Sequence, residues 1–127
     1  MTTLTEGQHA GEFIVSELAP GSTGVSPCRD AITVASGQTL EAGSVLGKVT
    51  ASGKYAIYDN GAADGTEVAV ALLVEGVDAS AADADGVAIV RGVAEYNLTE
   101  VKWDTGALQA EIDAGVADLL VANIIAR

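Results

Sequence analysis

A chain of 127 residues with 18 acidic and 6 basic side chains has a net charge of −12, which argues against grip on nucleic acid through a basic surface. The length fits one domain with a modest core. A single cysteine, Cys28, excludes an intrachain disulfide, and no apolar run approaches the roughly 20 residues that span a bilayer.

Valine and alanine dominate the apolar side chains, and the aromatics are Phe13, Tyr55, Tyr58, Tyr96 and Trp103. Small side chains remove little apolar area from water, at about 25 cal/mol per Å². Such a domain gains by sharing apolar surface with copies of itself, so an oligomer is expected. The acidic surface resists aggregation of a protein made in many copies. No basic segment followed by an apolar stretch is present, so a soluble protein folding in a reducing compartment is expected, with Cys28 a free thiol in a loop.

Residues 1–11 are polar and contain glycine, the composition of a mobile arm. Glu12-Phe13-Ile14-Val15 follows as a short strand. Pro20 and Pro27 bracket a Gly- and Ser-rich stretch that tethers this strand to the rest, giving an arm over 1–28 and a β-rich domain over 29–127. Such a leashed strand can add to a sheet edge of another chain, with Phe13 and Val15 filling pockets there; the alternative is pairing inside its own domain.

Strands are predicted over 31–35, 45–49 and 54–58, separated by glycine-marked turns, with further turns at Asp59-Asn60-Gly61 and Asp64-Gly65. Residues 68–74 are apolar without alternation, which predicts a strand covered on both faces. Residues 77–86 read as a polar loop. Residues 87–96 then alternate, and one face (Ala88, Val90, Gly92, Ala94) is small enough to demand a close neighbour. After Trp103 the period becomes helical through Leu108, Ile112, Val116, Leu119 and Leu120, with Asp104 or Thr105 as the cap. Gly115 weakens the expectation of a continuous helix. Asn123 supplies a left-handed ending before a last strand over 124–126.

Chemistry-bearing motifs are poor matches. Gly43-Ser44-Val45-Leu46-Gly47-Lys48 is one residue short of a phosphate loop, and Val49 stands where a hydroxyl must be. Asp78, Asp83 and Asp85-Gly86 lack the carboxylates that a calcium loop needs at its first and last positions. His9 lies in the arm, away from any nucleophile it would activate, and Cys28 has only Arg29 beside it. Lys54 follows a hairpin turn, as in lipoyl or biotinyl carriers, but lacks their flanking residues. The expectation is no catalytic residue, no metal and no cofactor.

The order EFIVSE, CRDAITVASGQTLEAGSVLGKVT, GKYAIYD, Asp64-Gly65, Arg91-Gly92-Val93-Ala94-Glu95, Leu98, Trp103 and a closing IIAR resembles the lambda-type phage head decoration proteins from Glu12 to Arg127. Asn123 departs from the glycine of that pattern but tolerates the same backbone geometry. The resemblance implies a mainly β body of the β-clip kind with a C-terminal helix and an extended N-terminal arm. It implies a homotrimer on threefold and quasi-threefold sites outside an expanded tailed-phage head, clamping capsomers against packaged DNA. It further implies the major capsid protein as partner, no membrane and no direct nucleic-acid contact, and a place on the virion surface after synthesis in the host cytoplasm. The expected capsid-binding residues are Glu12, Phe13, Ile14, Val15, Ser16 and Leu18. Tyr96, Trp103 or the small-residue face of 87–94 are the candidates for the trimer contact. Deletion of residues 1–17 is expected to leave the body folded and abolish binding. The competing reading is a trimeric β module for carbohydrate or a host surface.

Overall fold

A computed structural model describes residues 9–18 and 26–127. The described residues form β1 (Ile14–Glu17), β2 (Arg29–Val34), β3 (Gln38–Leu40), β4 (Val45–Lys48), β5 (Tyr55–Ile57), β6 (Ala71–Leu73), β7 (Val77–Ala79), β8 (Ala84–Ile89), β9 (Ala94–Tyr96), α1 (Gln109–Val121) and β10 (Ile124–Ala126). The fold is mainly β, as expected from the spacing of short strands and turns. Residues 1–8 of the arm and 19–25 of its tether lie outside the described residues.

Strands β2, β5, β4, β6 and β8 close into a barrel. Closure removes the edges that a short open sheet would expose. Alternation along β6 explains its unpatterned apolar sequence: Leu72 packs into one cluster with Val45 and Ile89, while Ala71 and Leu73 enter another with Ile32, Val34 and Leu46. All three β6 residues are fully buried, so residues 71–73 are covered on both faces as predicted. The strand is shorter than the predicted 68–74, because Val68 is half exposed and outside the ladder.

A second sheet, in the order β1-β9-β10, lies beside the barrel. Strand β1 runs antiparallel to β9 and β10 runs parallel to it. Phe13, Tyr96, Ile124 and Leu119 of α1 share one core cluster with the barrel residues Val45, Leu72 and Ile89. That shared cluster joins the second sheet and the helix to the barrel.

Three local expectations need correction. The polar stretch 77–86 is not a loop throughout, since Val77–Ala79 pairs with β3 and Ala84 already begins β8. Buried Val77 and Ala79 alternate with exposed Asp78, a two-residue period hidden by its shortness. The predicted strand over 87–96 is broken between Ile89 and Ala94, where the chain leaves the barrel for the second sheet. Gly92 occupies this break because a β-carbon there would collide with the backbone of Asn123.

The helix begins later than expected, with Leu108 at the cap position and no side-chain cap bond. Gly115 does not interrupt it. Asn123 takes a φ of 61° directly after the helix, in agreement with its predicted left-handed role.

Candidate functional site

The predicted capsid-binding segment is integrated with the body. The Gly11 amide donates to the Val74 carbonyl at 3.0 Å, and the Asn97 amide donates to the Phe13 carbonyl at 2.8 Å. Ile14 pairs with Tyr96, Ser16 with Glu95 and Glu17 with Ala94. Phe13 is fully buried. Its ring therefore fills a pocket in its own chain, which corrects the expectation that Phe13 and Val15 together fill pockets in a partner. Val15 and Leu18 do face outward, at 54% and 46% exposure, and β1 is an edge strand. Glu12 is exposed, and Ile14 and Ser16 lie on the β9 ladder.

An ion pair fastens the far end of β1. The Arg29 guanidinium lies 2.5 Å from Glu17 Oε1, with its Nε 3.1 Å from both carboxylate oxygens. Hydrogen bonding from Arg29 holds the Glu17 carboxyl below its usual range. The position between Cys28 and Arg29 marks no break in packing, since Cys28 and Phe13 belong to the same core cluster as the barrel residues. Deleting residues 1–17 would thus remove a core side chain as well as a surface, and Phe→Ala alone costs about 3–5 kcal/mol in a packed core. The expectation of an intact body after that deletion is withdrawn.

Tyr96 lies within the core cluster that also holds Phe13, and Trp103 packs against that cluster from its margin. Tyr96 is 1% exposed, so its side chain offers nothing to a second copy without rearrangement, contrary to its selection as a contact residue. The sequence leaves open which face of β9 is inward. The Tyr96 hydroxyl has no hydrogen-bond partner among the described residues, and burial pushes its pKa up to about 12. Trp103 is half-buried, edge-on to Tyr58 with ring centroids 6.0 Å apart. The Tyr58 hydroxyl lies 2.9 Å from the Glu111 carbonyl, fixing α1 against the barrel end. Trp103 also lines a polar cleft of about 530 Å³ with Gln38, Thr39, Glu41, Lys102 and Asp104.

The small-residue face of 87–94 already has its close neighbours. Ala88 is inside the barrel, Ala94 is in the other core cluster, and Gly92 lies against Asn123. The packing demand read from the sequence is met within the chain. Of that stretch, Val87 and Val93 remain exposed.

All six basic side chains are engaged. Arg29 pairs with Glu17, Lys54 with Asp83, Arg91 with Asp30, Lys102 with Glu41 and Arg127 with Glu95, while Lys48 lies over the Tyr55 ring at 5.6 Å. Apart from Lys48, the unpaired charge on the described surface is therefore acidic. Two acids of the suspected calcium stretch have other partners: Asp78 accepts the Ser80 amide within a turn, and Asp83 accepts the distant Ser36 amide and pairs with Lys54. Among the described residues no three His, Cys, Asp or Glu side chains converge on a metal position. Cys28 is buried, and its thiol donates to the Val93 carbonyl at 3.6 Å. Among the described residues no helix is long and apolar enough to cross a membrane.

A family model described as bacteriophage lambda head decoration protein D matches residues 3–124. The match covers nearly all of the 127 residues, and the chain belongs to that family. No individual curated protein matches it. Membership gives the chain a structural role on a phage head and agrees with the resemblance read from its motifs.

Proposed function

We propose that this member of the head decoration family binds as a homotrimer at threefold and quasi-threefold positions on the outside of an expanded capsid and stabilises it against packaged DNA. The family match across residues 3–124 carries the reading, since it runs from the N-terminal segment through the barrel to the end of α1. The major capsid protein is the partner. A ligand that binds only the expanded shell stabilises that shell by its binding free energy. Three copies held together raise the effective concentration at each site, so a modest single contact suffices.

Within Glu12 to Leu18, the outward-facing residues are the ones proposed to meet the capsid. Phe13 anchors the segment in its own core, leaving the exposed edge of β1, with Val15 and Leu18, together with the residues preceding it, to make contact. Edge pairing supplies main-chain hydrogen bonds, and the two apolar side chains add specificity. The acidic excess suits a partner surface that presents positive charge.

The test is sedimentation of purified protein with unexpanded and with expanded capsids. Saturable binding to expanded shells alone, near one copy per capsid subunit, is expected. Absence from both pellets would overturn the reading. One observation favours a carbohydrate module instead, the polar cleft beside half-buried Trp103. Glycan-array retention without capsid affinity would select it.

A further inference from the structure

We infer that the apolar groove between the barrel and the C-terminal end of α1 is the surface through which copies of this chain contact one another. This rests on the trimer reading and names the face it uses. The groove encloses about 400 Å³ and is lined by Val68, Val70, Val90, Asp118, Val121 and Ala122, with Ala69 at its floor. Val121 is 88% exposed and Val68 45%. Two valines from the segment before β6, one after β8 and one on the last helical turn thus converge on one depression.

Charge selects the occupant. Two identical chains of net charge −12 repel one another, so a contact between them forms where the fewest charged groups must be desolvated. The groove has one charged side chain, Asp118, and its Oδ2 already accepts the Ala69 amide at 3.1 Å. Two other clefts are less suited. The one at Trp103 contains Glu41, Lys102 and Asp104, and the one beside β2 contains Asp30, Lys48 and Asp85. A basic partner surface could use either of those; a second acidic copy is best served by the apolar one. The core of an interface is depleted in charge in the same way.

One backbone contact ties the groove wall to a further exposed valine. The Gly92 amide donates to the Ala122 carbonyl at 2.8 Å, which brings exposed Val93 next to the groove wall. Exposed apolar groups on one face of a small acidic domain are a contact surface in waiting.

The experiment compares full-length wild type with Val121→Asp and, on the opposite wall, Val68→Asp by sedimentation equilibrium up to ~1 mM, the range that still detects contacts of a few kcal/mol. Circular dichroism and melting confirm that each variant is folded. The expected result is a trimeric wild type and folded variants whose trimer dissociation constant rises roughly tenfold or more. Folded variants that stay trimeric overturn the face and leave the trimer reading intact. Trimeric variants that no longer sediment with expanded shells assign the groove to the capsid protein and also overturn it. If wild type is monomeric in solution, the comparison moves to binding curves on expanded shells, where loss of cooperativity in the variants supports the face and retained cooperativity, with or without weaker binding, overturns it. A wild type that neither trimerises nor binds shells overturns the trimer reading itself.

Discussion

Gly115 lies directly beneath the Trp103 ring: a β-carbon on it would sit 2.6 Å from Cζ3 and 3.1 Å from a Tyr58 ring carbon. The missing side chain is what allows α1 to close over the Tyr58–Trp103 pair. Gly115→Ala should gain about 1 kcal/mol in helix propensity. Overpacking against two rings that have little room to retreat costs about 1–3 kcal/mol. A net loss of roughly 1 kcal/mol is expected, read as a lower midpoint in urea with an unchanged slope. A gain in stability would mean that the ring moves freely.

Phe13 separates anchoring from presentation. Phe13→Ala should destabilise by about 3–5 kcal/mol, because it empties a pocket shared by the second sheet and the barrel. Val15→Ser, at a half-exposed position, should change stability by no more than ~0.5 kcal/mol. The same change should weaken sedimentation with expanded shells. Deleting residues 1–8 keeps Phe13 and its described neighbours, so it tests binding without the loss of fold expected from deletion of 1–17. A Phe13→Ala protein as stable as wild type would contradict the burial.

Glu17 sets an acid limit on β1. Its folded-state pKa lies below the ordinary 4.5 because Arg29 donates to the charged form. The stabilisation is therefore complete above 4.5 and disappears as pH falls through the lower folded value. Glu17→Gln should be less stable than wild type at pH 7, and the difference should close under acid conditions. Amide exchange in residues 14–17 should accelerate over the same range. A difference independent of pH would assign the effect to packing.

Tyr96 sets an alkaline one. Burial raises its pKa to about 12 from an ordinary 10, so the unfolded chain ionises first. Stability should be unaffected below pH 10 by this group and fall between 10 and 12. Tyr96→Phe removes that loss along with a buried hydroxyl that has no partner among the described residues, and should be neutral or stabilising by about 1 kcal/mol at pH 7. A clear loss of stability at pH 7 would show that the hydroxyl is satisfied in solution.

The order of short strands was legible because Gly-marked turns and two-residue alternation are local signals, as at β2, β4 and β5. The helix was legible from its period, and Asn123 from its tolerance of positive φ. What escaped was set by distant neighbours. The value of Gly115 depends on Trp103, twelve positions earlier, and the break at Gly92 depends on Asn123. Phe13 read equally well as an anchor in another chain or in its own, because a four-residue strand does not specify its partner. The groove was invisible for the same reason: Val68, Val90 and Val121 are far apart in sequence, and only barrel closure brings them to one place.

The arrangement of the three-stranded sheet has a further consequence. Strand β1 enters opposite Tyr96 and β10 finishes opposite the same residue, one antiparallel and the other parallel to β9. The polypeptide therefore arrives and departs at one end of the sheet, two strand spacings or about 10 Å apart. A cargo fused after Arg127 would emerge beside the segment that precedes Ile14, and would crowd whatever that segment touches. Conversely, a linker from Arg127 to the residues just before Phe13 could close the chain into a ring that keeps this core anchor. The molecule could then be reopened at an exposed turn such as Asp59-Asn60-Gly61 with its strand pairings preserved.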